Sequence, residues 1–219
     1  MNIFGFNTEN NWDYENGFYL TSHIKRLGKI IAHFELYKMI QDLNGEIVEC
    51  GIFKGSSLIQ FATFRELLES PFSRKIIGFD AFGYFPSQNI NEDEEFAKNH
   101  DKNAGKGLSL DEFKKALDFK HLQNIELVKG DINSTIPKYI DLHKSLKISL
   151  LHIDVDVYEP TITILESLFD RVVRNGIIVL DDYSHINGET RAIDEFFADR
   201  SVIINKLSVS HIPSYIVKQ

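Results

Sequence analysis

Five short apolar runs recur along this chain, and each carries an acid at or near its carboxyl end. They are "GEIVECG" (45–51), "RKIIGFD" (74–80), "NIELVKGD" (124–131), "KISLLHIDVDV" (147–157) and "GIIVLDDY" (176–183). Segments with helical spacing of apolar residues separate them, among them "SSLIQFATFRELLES", "PKYIDLHKSL", "PTITILESLFDRVVRN" and "ETRAIDEFFADR". Strand and helix in alternation mean parallel strands joined by helical crossovers. The carboxyl ends of such strands share one edge of the sheet, where open α/β sheets bind their ligands. The strand middles are apolar, so Glu49, Asp80, Asp131, Asp154, Asp156, Asp181 and Asp182 all fall on that edge. A lone aspartate at a strand end is explained by helix capping; a whole row of acids is better explained by a site.

The termini depart from this rhythm. Residues 1–18 are polar and aromatic without a clear period and read as an arm able to pack on a partner surface, such as a second copy, or as a partly ordered tail. From 19 to 43 the spacing predicts one amphipathic helix, stopped by Asn44 and Gly45. The division expected is an arm and helix over 1–43 and an α/β domain over 44–219. At the other end, "SVIINKL" and "SYIVKQ" read as strands, and "SVSHIP" between them is too short for a crossover helix. They are expected to form an antiparallel hairpin. Residues 81–120 fit no strand–helix unit. An insertion of that length in a compact domain is expected to be a lid, a binding loop or disordered. Within it "SLDE" (109–112) has capping-box spacing, so a helix is expected to start there, and "NEDEE" (91–95) reads as a solvated acidic face.

Composition narrows the class. The single cysteine, Cys50, provides no disulfide framework and suits a reducing compartment, so a cytoplasmic location is expected. The first twenty residues lack the pattern of a signal peptide, and no run approaches the roughly 18 apolar residues of a membrane span. A net charge of −8 argues against a nucleic-acid backbone as partner and suits cation binding.

Gly51 and Gly55 flank a strand-to-helix turn where bare backbone can approach a ligand. The turn lacks Gly-x-Gly-x-x-Gly because position 53 is Phe53, and Lys54 precedes Gly55 rather than following a glycine. Neither a pyrophosphate nor a triphosphate is favoured. Glu49, two residues before the first glycine, would repel phosphate and suit a cationic ligand. Asp80 is placed to accept from ribose hydroxyls, with Asp131 near an adenine amino group. Asp154, Asp181 and Asp182 are expected to converge on one point, where they need a shared proton or a divalent cation. Oxygen-only ligands select magnesium, calcium or manganese rather than zinc. His152, on the strand face of Asp154 and Asp156, reads as structural. His185, in the loop after the fifth run, is freer to touch a ligand, and Tyr158 and Tyr183 read as packing or supporting groups.

"GEIVECGIFKGSS", "GFDAFGYFP", "LLHIDVDVYEPT" and "GIIVLDDYSHINGETRAIDEFF" together resemble the macrocin O-methyltransferase family, from about Gly45 to Phe197. The resemblance implies a Rossmann-like class I methyltransferase fold, with a mostly parallel seven-stranded sheet ending in an antiparallel hairpin. It implies S-adenosylmethionine as cofactor, a divalent metal such as Mg2+, and a sugar hydroxyl as acceptor. Residue by residue, Glu49, Gly51, Gly55, Ser56 and Ser57 look like the cofactor turn, with Asp80 the ribose ligand and Asp131 by the adenine. Asp154, Asp181 and Asp182 look like metal ligands, Asp154 with a share in catalysis, and Asp156 looks like the general base. The chain departs from the family at Val155, where glycine is common, in the unmatched insertion at 81–120, and in its short N-terminal extension.

The expected partner is a small-molecule or glycan substrate, with no nucleic acid and no membrane span. The Ile-, Lys-, Asn- and Phe-rich composition of an AT-rich bacterial genome keeps surface polysaccharides among the expected acceptors. A phenol, a catechol or a phosphoryl-type oxygen is the alternative acceptor. A nicotinamide oxidoreductase is disfavoured by the missing glycine fingerprint and the terminal hairpin, and a non-catalytic module by the complete set of acids.

Overall fold

The computed structural model describes residues 1–219. The chain opens with a two-strand ribbon, β1 (Asn2–Ile3) and β2 (Phe6–Asn7), then α1 (Asn11–Thr21) and α2 (Ile24–Lys38). The single helix expected over 19–43 is therefore two. The chain is extended at Ser22 and His23, and His23 Nδ1 accepts from Lys25 N at 3.2 Å, capping α2. Trp12, Tyr19, Leu20 and Ile24 remain exposed on this arm.

Five strands follow in alternation with helices: β3 (Glu46–Cys50), β4 (Ile76–Asp80), β5 (Ile125–Lys129), β6 (Ile148–Ile153) and β7 (Val172–Leu180). Between and after them come α3 (Ser56–Leu68), α4 (Asn91–Ala104), α5 (Leu110–Phe119), α6 (Ile132–Leu142), α7 (Tyr158–Leu168) and α8 (Asn187–Phe197). The C-terminal strands are β8 (Asn205–Lys206) and β9 (Ser214–Val217). The sheet order is β5-β4-β3-β6-β7-β9-β8. The first five strands pair in parallel, while β9 runs antiparallel to β7 and β8 antiparallel to β9. This is the mostly parallel sheet with a terminal hairpin that the sequence implied.

Alternation along the strands divides the core. Ile47, Leu150, Ile177 and Val179 face α2, α3 and α5, against Leu36, Tyr37, Phe61 and Phe113. Val48, Leu151, Ile178 and Leu180 face the other way, against Ile136, Ile164 and Ile193 of α6, α7 and α8. The same parity puts Glu49 and His152 on the α2 side, and Asp181, one residue past β7, continues it.

Several boundaries move for identifiable reasons. β6 stops at Ile153, so Asp154 and Asp156 lie beyond the strand, and Asp156 turns into the left-handed region at φ 64°. β7 begins at Val172 rather than Gly176, its β-branched start winning over helix continuation. α6 begins at Ile132, five residues before Pro137, because Asp131 caps it by accepting from Asn133 N at 2.9 Å. Residues 81–120 hold two helices rather than a loop. The acids of "NEDEE" form the first turn of α4, where Glu92, Asp93 and Glu94 complement the helix dipole. The capping box at Ser109 and Glu112 starts α5 as expected.

Candidate active site

A cavity of about 320 Å³ opens at the carboxyl ends of the parallel strands. Gly51, Ser56, Ser57, Asp80, Asp131, Asp154 and Asp156 line it, together with Phe85, Gln88 and His100 from the 81–120 segment and Arg26 and Lys29 from α2. Of the residues singled out in the sequence, Glu49, Gly55, Asp181 and Asp182 stand behind this lining rather than in it.

The turn after β3 is shaped by two close approaches. Gly51 has φ +89°, and a Cβ there would lie 1.7 Å from the carbonyl oxygen of Asp154. Gly55, the N-cap of α3 at φ +80°, faces the ring of Phe113, which a Cβ would meet at 2.2 Å. Gly55 therefore makes room for α5 rather than for a ligand. Asp80 fixes the same turn: its Oδ2 accepts from Ile52 N at 2.7 Å and Phe53 N at 3.0 Å, and its Oδ1 from Phe82 N at 2.5 Å. A carboxylate offers about four acceptor positions, so Asp80 retains capacity toward the cavity. Glu49 is wholly buried. Its Oε1 accepts from Ser57 Oγ at 2.7 Å, so it reaches the cavity only through that hydroxyl.

The acids at the ends of β6 and β7 are gathered differently from the expected trio of Asp154, Asp181 and Asp182. Carboxylate oxygens of Asp154, Asp156 and Asp182 lie within 4.8 Å of one another. Asp181 turns to the α2 side, where the parity of β7 sends it. There its Oδ1 lies 3.3 Å from His152 Nε2 and 3.8 Å from His33 Nε2, and its Oδ2 is 2.5 Å from Lys29 Nζ. The shared face expected for His152, Asp154 and Asp156 is broken by the end of the strand. His152 continues on to Glu49, whose Oε2 is 3.7 Å from its Nδ1, and His33 Nδ1 lies 2.8 Å from Gln60 Oε1.

The electrostatics follow from burial and these partners. Burial and the neighbouring Asp181 hold Asp154 well above the carboxylate range. Burial and Asp154 push Asp156 to about 7, and burial with Asp156 and Asp181 raises Asp182 to about 8. Asp181 goes the other way. Burial opposes its ionisation, but His152, His33 and Lys29 outweigh it and hold Asp181 well below its ordinary value. Burial likewise opposes charge on His152, yet Asp181 and Glu49 raise it to about 10, whereas burial lowers His33. Lys29 is raised despite its burial, by Asp181 and Asp154 foremost. The counter-charge that the sequence demanded is thus partly an ammonium from outside the strand ends.

Sequence reasoning missed Lys29, His33 and Glu189. Lys29 and His33 are one turn apart on α2, a spacing that puts both on the face toward the sheet. Glu189 of α8 is wholly buried; its Oε1 accepts from Asp182 N at 3.1 Å, and its Oε2 has no partner. A carboxylate in an otherwise apolar helix face was the available signal. His185 pairs at the surface with His211, Nε2 to Nε2 at 3.0 Å. Tyr158 and Tyr183 donate to Glu195 and Asp194 of α8 at 2.5 and 2.8 Å, at the surface.

An edge of this kind can hold a cationic or hydroxyl-rich ligand at the glycine turn and a divalent cation at the carboxylates. Comparison with known proteins bears on which. Residues 23–215 match the family model described as macrocin-O-methyltransferase (TylF). The structure of CalS11, described as a TDP-rhamnose 3'-O-methyltransferase of calicheamicin biosynthesis, is similar at 25% identity and a TM-score of 0.70, over 97% of this chain and 86% of that one. The O-methyltransferase NovP shares the fold at 20% identity and a TM-score of 0.77, over 88% of this chain and 80% of that one. An rRNA methylase from Streptococcus thermophilus shares it at 16% identity and a TM-score of 0.51, over 85% and 92%. No curated protein matches the sequence. No helix is long and apolar enough to cross a membrane.

Proposed function

The chain belongs to the macrocin-O-methyltransferase (TylF) family, and from that premise we propose that it moves the methyl group of S-adenosylmethionine onto a sugar hydroxyl with the help of a divalent cation. The observation that carries this reading is the convergence of Asp154, Asp156 and Asp182 beside a cavity floored by the glycine turn, Asp80 and Asp131. The description of CalS11 as acting on TDP-rhamnose supports a sugar, free or in a nucleotide sugar, glycan or glycosylated product, as the acceptor.

The donor set fits a hard cation. Asp154, Asp156 and Asp182 offer only oxygen, and they repel one another when ionised. Asp154 and Asp182 are the residues we assign to hold it. When bound, such a cation polarises the acceptor hydroxyl and lowers its pKa. S-adenosylmethionine supplies a methyl group already activated by its sulfonium.

The chain's own residues do the rest. Asp80 and Asp131 line the cavity and are the residues we assign to the ribose and the adenine, and Ser56 and Ser57 line it at the start of α3. Asp156 accepts the proton of the acceptor hydroxyl at its carboxylate, from a backbone position held beside Asp182. Phe85 and His100 of the 81–120 segment line the cavity, which suits that segment to choosing the acceptor. Self-association through the N-terminal arm belongs to the same reading, supported by its exposed Trp12, Tyr19, Leu20 and Ile24.

The test is methyl transfer from labelled S-adenosylmethionine to a panel of nucleotide sugars, glycans and catechols, with Mg2+ or with chelator. Label in a sugar, lost on chelation, is the expected result. Transfer to catechols alone would replace the acceptor, and transfer undiminished by chelator would remove the metal.

A further inference from the structure

Lys29 occupies the ground that the sequence assigned to a cation. Its Nζ is 2.5 Å from Asp181 Oδ2, and its field falls mainly on Asp181, Asp154 and Asp182, the three acids expected to converge. Its side chain keeps 22% of its surface exposed while that of Asp181 keeps 4%, so the ammonium lies at the open side of the cluster and the carboxylate at its closed side. Lys29 also lines the cavity itself, so its side chain has open volume in which to swing.

Resting on the metal-assisted reading above, we propose that Lys29 and the divalent cation exchange with each other: the cation takes the position of the ammonium, Asp181 passes from Lys29 to the cation beside Asp154 and Asp182, and Lys29 swings into the cavity. Two positive groups cannot share these few carboxylates at contact distance without strong repulsion. Buried carboxylates stripped of any counter-charge are equally costly. A tethered ammonium that leaves when the cation arrives resolves both problems. It keeps the acids neutralised at all times, and it makes cation binding a competition rather than a simple filling of a site. Because Lys29 is carried by α2, the same event removes one polar tie between that helix and the sheet edge.

Two measurements on the full chain test this. The first is Mn2+ affinity, by paramagnetic resonance or calorimetry, for wild type and Lys29→Met. Removing the competitor is expected to tighten binding about tenfold or more. The second keeps the native protein: acylation of Lys29 by an amine-reactive reagent, followed by mass spectrometry, is expected to quicken several-fold at saturating Mn2+. The labelling separates displacement of the ammonium from a mere change of charge, and it decides the matter alone if the variant does not fold. Equal or weaker Mn2+ binding by Lys29→Met, or labelling that Mn2+ leaves unchanged, overturns the exchange while the metal reading stands. Absence of Mn2+ binding in both proteins overturns the metal reading and the exchange with it.

Discussion

Lys29 Nζ on α2 stands 2.5 Å from Asp181 Oδ2 at the end of β7, across 152 residues of chain. The pair ties the N-terminal helix to the acidic edge of the sheet, and through Asp181 it joins a buried line of ionisable groups. That line runs from Lys29 through Asp181 and His152 to Glu49, which in turn holds Ser57 at the start of α3. The glycine turn and the acidic edge of the sheet thus share one electrostatic network.

Asp181→Asn removes the acid on which Lys29, His152 and His33 converge. Leaving such partners buried and uncompensated costs roughly 3–5 kcal/mol. Urea unfolding of the variant should show a loss of that order. Stability equal to wild type would mean that water or a rearranged side chain serves these cations as well as Asp181 does.

Asp156 sits at φ 64°, a backbone region that asparagine tolerates nearly as well as aspartate. Asp156→Asn should therefore fold normally. If Asp156 takes the acceptor proton, kcat should fall by about 10²–10⁴ while calorimetric affinity for S-adenosylmethionine stays near that of wild type. Loss of cofactor binding instead would give Asp156 a different role.

The pH dependence of stability reports on His152. Its pKa is raised from 6.5 to about 10 by Asp181 and Glu49 against the opposing effect of burial. A raised folded-state pKa stabilises fully below the unfolded value, and the gain is lost as pH rises through the folded value. Wild type should lose up to about 5 kcal/mol between pH 6.5 and 10, and His152→Gln should lose much less across that window. Parallel curves for the two proteins would show that His152 is neutral throughout.

Gly51→Ala would set a Cβ 1.7 Å from the Asp154 carbonyl at a φ of +89°. Neither the backbone just past β6 nor a positive φ yields cheaply, so a destabilisation of about 2–4 kcal/mol is expected in chemical denaturation. A midpoint unchanged from wild type would show that the turn and the end of β6 move apart freely.

Asp93 of α4 accepts from Tyr158 N at 2.9 Å and so caps α7, whose own N-cap Val157 has no side-chain cap. Asp93→Ala should cost about 1 kcal/mol. It should also loosen the 81–120 segment over the cavity, raising the acceptor KM more than it lowers kcat. A fall in kcat alone would place Asp93 nearer the chemistry than a helix anchor.

Much of this was legible in the chain itself. Alternating apolar runs and helices dictate a parallel sheet, because only crossovers join parallel strands, and the short link before "SYIVKQ" dictates the antiparallel end. The acids at the strand ends declare the edge where the site lies, since a carboxylate there either caps a helix or meets a ligand. The Ser109 capping box was readable as well, being satisfied within four residues.

What tertiary structure alone decided is which charges meet. Asp181 and Asp182 are neighbours in sequence, yet the pleat sends one toward α2 and the other toward Asp154 and Asp156. The early end of β6 at Ile153 separates His152 from the two aspartates that follow it. Lys29 and His33 reach the site from a helix that precedes the sheet in sequence, so no local pattern announces them. Local sequence sets periodicity and caps because those interactions span a few residues. The pairing of buried charges depends on contacts across the whole chain, and only packing brings them within a few ångströms.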